Sequence, residues 1–309
     1  MGNDDINSLR MRYTFCAIYL KVRDVPSGCK NEKEYIKMKI GVIVNLKENI
    51  AEEFARLREL GIYTCQLACW NMGLYNDKMA ETVLCAAKEY GIEVTAVWAG
   101  WSGYNEWNFQ YGPVTLGIVP PATRHGRILQ LKKGSDFAKK LGVTDVITHA
   151  GFLPENPNTI EFCEVVAAIK EIAAHCKNNG QYFLFETGQE TPVTLLRTIV
   201  ASGMDNLGIN LDPANLILYG KGNPVDALDV FGKYVRGVHG KDGCYPTDPY
   251  SLGNETPLGD GKVNYPAFIA KLKEIGYDGA ITIEREISGD KQIEDIKRAK
   301  KIIEELWNA

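Results

Sequence analysis

From residue 38 onward, short runs of apolar and β-branched residues alternate with longer stretches whose apolar positions recur every three or four residues. KIGVIVN (39–45) reads as a first strand, and 50–60 as a helix with Ile50, Phe54 and Leu57 on one face. Gly61 stops that helix in the C-cap role that glycine fills easily. IYTCQLACW (62–70) is a second strand, 77–90 a helix closed by Gly91, and IEVTAVWAG (92–100) a third strand. The same rhythm returns at LGVTDVITH (141–149), NNGQYFLFE (178–186), NLGINLD (206–212), YVRGVH (234–239) and IGYDGAITIE (275–284). A helical piece spans 224–234, and a last helix runs from 292 to 306. Eight strand–helix units in roughly 270 residues predict an α/β protein, a (β/α)8 barrel in a single domain over 38–309. An open doubly wound sheet would carry a glycine-rich phosphate loop after an early strand, and none is present.

Residues 1–37 fit no such rhythm and are left as an unassigned N-terminal extension. MRYTFCAIYLKV (11–22) holds a short apolar stretch, but no small-x-small cleavage pattern follows it. No apolar run reaches the roughly 18 residues of a membrane span. A net charge of -4 and a pI near 5.7 oppose binding to a nucleic-acid backbone, which needs a basic footprint. Eight scattered cysteines without a C-x-x-C pair predict reduced thiols and a cytoplasmic protein, not a disulfide frame or a thiolate zinc site.

In a barrel the loops after the strands form the active-site face. Two are long. Residues 98–122 contain Trp98, Trp101, Tyr104, Trp107, Phe109 and Tyr111, and 240–264 are rich in glycine and proline. The aromatic loop suits a sugar platform, with Trp98 and Trp101 as substrate contacts. A hydrophobic cluster packed under itself, or a subunit contact, is the alternative. Strands five to eight each end in a residue suited to one hard divalent cation: Glu186, Asp212, His239 and Glu284. Three carboxylates and an imidazole favour manganese, magnesium or cobalt over the softer thiolate-seeking metals, and zinc also fits. Singly each has a structural reading. Asp212 before Pro213 could cap a helix, and a lone His is often only hydrogen-bonded.

ETGQET (186–191), NLGINLDPANLILYGKGNP (206–224), VRGVHGKDG (235–243), PLGDGKVNYPAF (257–268) and GYDGAITIERE (276–286) resemble the sugar phosphate isomerase/epimerase family, whose fold is the xylose isomerase-like TIM barrel. The resemblance runs from Met38 to the C-terminus. It implies one divalent metal held by Glu186, Asp212, His239 and Glu284, with Glu186 and Glu284 also the acid/base pair. It further implies a small carbohydrate substrate and a homodimer or homotetramer. The expected activity is isomerisation or epimerisation beside a carbonyl, through a metal-stabilised enediolate.

The chain departs from the family where many members show D-x-x-H, since it has Asp212-Pro-Ala-Asn215. Asn215 can bind a hydroxyl but carries no proton. Glu286, two residues beyond Glu284, could compete for the ligand role. His149 at the end of strand four and Lys241 beside His239 are expected to touch substrate, the alternatives being a structural histidine and a solvated surface lysine. Arg124 and Arg127 open a helix and are weak candidates for a phosphate or carboxylate; His125 and His175 read as bystanders. Three other functions compete. A dehydratase of a keto-inositol would use the same site. A non-catalytic sugar-binding barrel would not need the metal. An apurinic-site endonuclease shares the fold but requires many histidines, and this chain has four.

Overall fold

The structure, a computed structural model, describes residues 38–309; the extension expected over 1–37 lies outside the described residues. Eight strands close a parallel barrel: β1 (Ile40–Asn45), β2 (Thr64–Cys69), β3 (Glu93–Ala99), β4 (Asp145–Thr148), β5 (Tyr182–Glu186), β6 (Leu207–Leu211), β7 (Val235–Gly240) and, after a two-stranded ladder of β8 (Asp242–Gly243) and β9 (Glu255–Thr256), β10 (Ile281–Ile283). Closure is made by β1 pairing with β10, Ile40 against Ile281 and Val42 against Ile283. The sequence overextends the last strand. Its predicted start at 275 is occupied by the end of the helix Tyr265–Glu274 and a turn through Gly276. Within the two long loops the structure also adds a short helix, Gly112–Thr115, and the β8–β9 ladder.

Period-two alternation sorts each strand into two faces. On β5, Phe183 and Phe185 face the helices, and Leu184 faces the barrel axis with Ala68, Ala96, Trp98 and Ile147. Extending the inward set by two residues along β5 brings Glu186 to the C-terminal mouth. The same step places Asp212, two beyond the inward Asn210, just past β6. Outside the barrel, Phe54, Phe137, Phe231 and Phe268 from the helices are fully buried against the outward strand residues. Burial of side chains this size stabilises by about 1.5–3 kcal/mol each.

Both long loops are fixed by buried polar anchors. The Asp242 carboxylate accepts backbone hydrogen bonds from Gly243 (2.8 Å), Gly259 (2.9 Å), Gly261 (3.1 Å) and Val263 (3.0 Å), which gathers 240–264 around one charge. The aromatic loop is stitched to the end of β4 where Ile118 N donates to Ala150 O at 2.9 Å. Gly117 makes that approach feasible. Its φ is +67°, and a Cβ there would lie 2.0 Å from Ala150 O. Gly117→Ala therefore combines left-handed strain with a backbone clash, and should lower unfolding free energy by about 3 kcal/mol or more. Urea denaturation checks this, and a variant within about 0.5 kcal/mol of wild type would contradict it.

Candidate active site

Glu186, Asp212, His239 and Glu284 converge at the C-terminal mouth, each offering a ligand atom within 4.8 Å of all the others. His239 Nδ1 lies 3.3 Å from Glu186 Oε1, 3.5 Å from Asp212 Oδ2 and 3.3 Å from Glu284 Oε2. Those separations match the edges of a coordination polyhedron with metal–ligand bonds of about 2.1 Å. Asp212 also caps the helix Pro213–Leu218: Oδ1 accepts from Asn215 N at 2.9 Å, so the two readings of this residue coexist on its two oxygens. Asp212 Oδ2 and His239 Nδ1 are buried without a hydrogen-bond partner. Leaving such atoms unpaired costs about 1–3 kcal/mol each. The donor set thus fits a divalent cation by chemistry, spacing and unmet polarity.

Electrostatics follow from the crowding. Burial disfavours a charged His239, yet Glu186 and its neighbours Asp212 and Glu284 hold the imidazole well above its ordinary pKa. Lys241 is buried as well, not a surface lysine. Its ammonium stands 3.1 Å from Glu284, 2.7 Å from Glu286 and 3.7 Å from Asp212. Burial again opposes the charge, and the carboxylates of Glu284, Asp212 and Glu286 win, raising its pKa. Glu284 is in turn depressed: burial works against it, but Lys241 and His239 outweigh burial. Glu186 is also lowered against its burial, by His149 and His239. Asp212 is raised, since its burial outweighs Lys241.

Around Glu186 the walls are those the sequence nominates. Trp98 Nε1 donates to Oε2, Asn215 Nδ2 donates to Oε1 at 3.4 Å, and His149 Nε2 lies 3.5 Å from Oε1. Trp98, Trp101, His149, Asn215 and Lys241 all line one cavity of about 990 Å³ with the two glutamates. Glu286 stays outside the four-atom cluster, half exposed and paired to Lys241. The two helix arginines bind protein instead of anion. Arg124 donates to Ile118 O and Val119 O and pairs with Glu164; Arg127 donates to Thr115 O at 2.6 Å and Gly117 O at 2.7 Å. His175 pairs with Asp136 at 2.7 Å, and His125 is exposed.

Two residues escaped the sequence reading. Gln66 on β2 and Asn210 on β6 lie below His239 inside the barrel, both buried, with Gln66 Nε2 donating to Asn210 Oδ1 at 3.0 Å. Gln66 Oε1 and Asn210 Nδ2 are each 2.9 Å from His239 Nε2. Donation from Nε2 to Gln66 turns Nδ1 toward the carboxylates; with a cation bound there in place of a proton, Nδ1 would present its lone pair, the usual way an outer amide orients a metal-binding imidazole. The available signal was an amide at an inward position of an otherwise apolar strand. Gln66→Leu should weaken Mn²⁺ affinity about 10–100-fold in calorimetric titration while the metal-free protein keeps its far-ultraviolet spectrum. An unchanged affinity would contradict this role.

The family described as xylose isomerase-like TIM barrel matches residues 54–306. An uncharacterised protein of Methanocaldococcus jannaschii is 25% identical over 296 residues, covering 89% of this chain and 92% of that protein. A xylose isomerase domain protein from Planctomyces limnophilus is 34% identical, with a TM-score of 0.82 over 87% of this chain and 97% of its own. A D-tagatose 3-epimerase-like protein, 23% identical, gives 0.67 over 88% and 97%. Other structures sharing the fold at 18–19% identity include a sugar epimerase, a probable dehydratase and a barrel in complex with magnesium. Among the described residues no helix is long and apolar enough to cross a membrane. By family match and by identity over most of its length, the chain belongs to the xylose isomerase-like TIM barrel family.

Proposed function

We infer that the protein is a divalent-metal-dependent isomerase or epimerase of a small sugar or keto-polyol, moving a proton on a carbon beside a carbonyl. One observation carries this reading. Glu186 and Glu284 each place a carboxylate oxygen 3.3 Å from His239 Nδ1 and face one cavity. Structural neighbours that are sugar epimerases support it.

A divalent ion held by Glu186, Asp212, His239 and Glu284 would act as a Lewis acid toward charge developing on a substrate oxygen. The remaining work falls to side chains. Glu284, kept ionised by Lys241, accepts the proton. Glu186 faces the same cavity as the partner that returns a proton, and because His149 and His239 favour its ionised form in the free protein it must gain that proton with substrate bound. Trp98 fixes the other oxygen of Glu186, and the tryptophans form one apolar side of the cavity. Return to the opposite face inverts the centre, and return to the neighbouring carbon interconverts aldose and ketose. Asn215 orients a hydroxyl without carrying a proton.

Lys241 supports a second reading. A charged ammonium beside Asn215 Oδ1, 3.4 Å away, could protonate a departing β-hydroxyl and make the same site a dehydratase. Keto-inositol would then yield an enone with new ultraviolet absorbance, and no absorbance change would exclude that substrate.

The direct test incubates the Mn²⁺-loaded protein with a panel of ketoses and keto-polyols in D2O and follows exchange by NMR. Deuterium beside the carbonyl is expected, with Glu186→Gln lowering the rate of product formation about 10²–10⁴-fold while ketose binding persists. Product formation at the wild-type rate in that variant would refute the assignment of Glu186.

A further inference from the structure

The ammonium of Lys241 reaches two of the four atoms that would hold the ion. Its Nζ lies 3.1 Å from Glu284 Oε2 and 3.7 Å from Asp212 Oδ2, the same oxygens that approach His239 Nδ1. At 3.7 Å it offsets the charge of Asp212 without a hydrogen bond, and that oxygen stays unpartnered. Lys241 and a divalent ion therefore draw on the same two carboxylates. Two cations that share ligand atoms repel, and burial leaves little solvent to screen them.

The backbone sets this reach. Tyr265 Oη donates to Lys241 O at 2.8 Å, and the next residue, Asp242, is the hub of the 240–264 loop. Lys241 is 3% exposed, so protein atoms must meet its charge. An ammonium has three donors. They go to Glu286 at 2.7 Å, Glu284 at 3.1 Å and Asn215 Oδ1 at 3.4 Å, and of these only Glu284 belongs to the four-ligand cluster. Glu286 is itself held in place. Its backbone N donates to the Glu255 carboxylate at 3.1 Å, and Arg285 joins Glu255 to Asp295 at 2.9 Å from each. Glu286 thus offers Lys241 a fixed partner outside the cluster.

We propose that Lys241 is a placeholder cation for the metal site: it offsets Asp212 and Glu284 in the metal-free protein, competes with the divalent ion for their oxygens, and is held by Glu286 once the ion binds. This rests on the divalent ion of the proposed function and is independent of the proton transfer. One charge then has two opposite effects. Without the ion, removing Lys241 leaves crowded carboxylates uncompensated and destabilises the fold. With the ion, removing it takes away a repelling charge and tightens binding. A lysine that only props the ligands in position would do the reverse, its loss weakening the ion. Because the competition acts through charge, it falls equally on Mn²⁺ and Mg²⁺.

Metal affinity tests this without turnover. Calorimetric titrations with Mn²⁺ and Mg²⁺, and thermal melts of the metal-free proteins, compare wild type with Lys241→Met, Glu286→Gln and the double variant. Lys241→Met should bind both ions about tenfold or more tightly than wild type, while its metal-free form melts at a lower temperature. Glu286→Gln leaves Lys241 to lean on the cluster, and should weaken both ions about threefold. In the Lys241→Met background the same substitution should change affinity less than about twofold. Unchanged or weaker ion binding by Lys241→Met would overturn the proposal and leave the metal site standing. So would tightening of Mn²⁺ without Mg²⁺. If Lys241→Met does not fold without the ion, Glu286→Gln decides alone, unchanged affinity overturning the proposal. Absence of Mn²⁺ binding by wild type would overturn the metal reading and the placeholder together.

Discussion

Three carboxylates within 4.8 Å of one another, two buried and Glu284 partly so, constitute the constraint that the rest of the molecule answers. Like charges at that separation repel by at least about 3 kcal/mol per pair at an effective dielectric constant near 20. A fold tolerates the arrangement only with positive charge in the middle. In the protein alone, His239 and Lys241 provide it, and both are held charged against the cost of their own burial. A divalent cation meets the same demand more fully, because it also satisfies the unpaired Asp212 Oδ2 and His239 Nδ1. The barrel is what enforces the crowding: strands β5, β6, β7 and β10 are neighbours in the closed sheet, and each points one ligand to the same mouth.

The convergence of the four residues was legible because it depends on only two regularities, strand order and period-two alternation. Glu186, Asp212, His239 and Glu284 stand at or just past the C-terminal ends of consecutive barrel strands, and closure brings them together without any local motif. Gln66 and Asn210 were not legible for the converse reason. Their role exists only across the barrel interior, where β2 and β6 approach His239, and no spacing along the chain encodes that meeting. Arg127 read as a helix-start arginine, most simply a surface one and only a weak candidate for an anion. Its partners are loop carbonyls up to twenty-five residues upstream, visible only once the loop is folded over it. The last strand was overextended because Ile275 and Tyr277 were joined to the apolar positions of Ile281–Ile283, while the turn at Gly276 separates them.

Loop rigidity links fold to chemistry. The Asp242 hub and the Arg127 clasp both spend buried charge on backbone groups, so that the two long loops meet, Phe109 N donating to Tyr250 O at 3.0 Å. Such anchoring lowers the ordering entropy to be met when a substrate binds. It also separates two tasks: a polar floor that handles protons, and an aromatic wall, fixed independently, that handles shape.

The most direct measurement of the central claim is X-ray absorption spectroscopy of the protein loaded with one equivalent of Mn²⁺. Four convergent protein ligands predict a first shell of oxygen with one nitrogen, an imidazole scattering signature, and loss of that signature in His239→Ala. A spectrum of fully hydrated manganese, or an imidazole signature that survives that substitution, would mean that the four residues do not hold the ion.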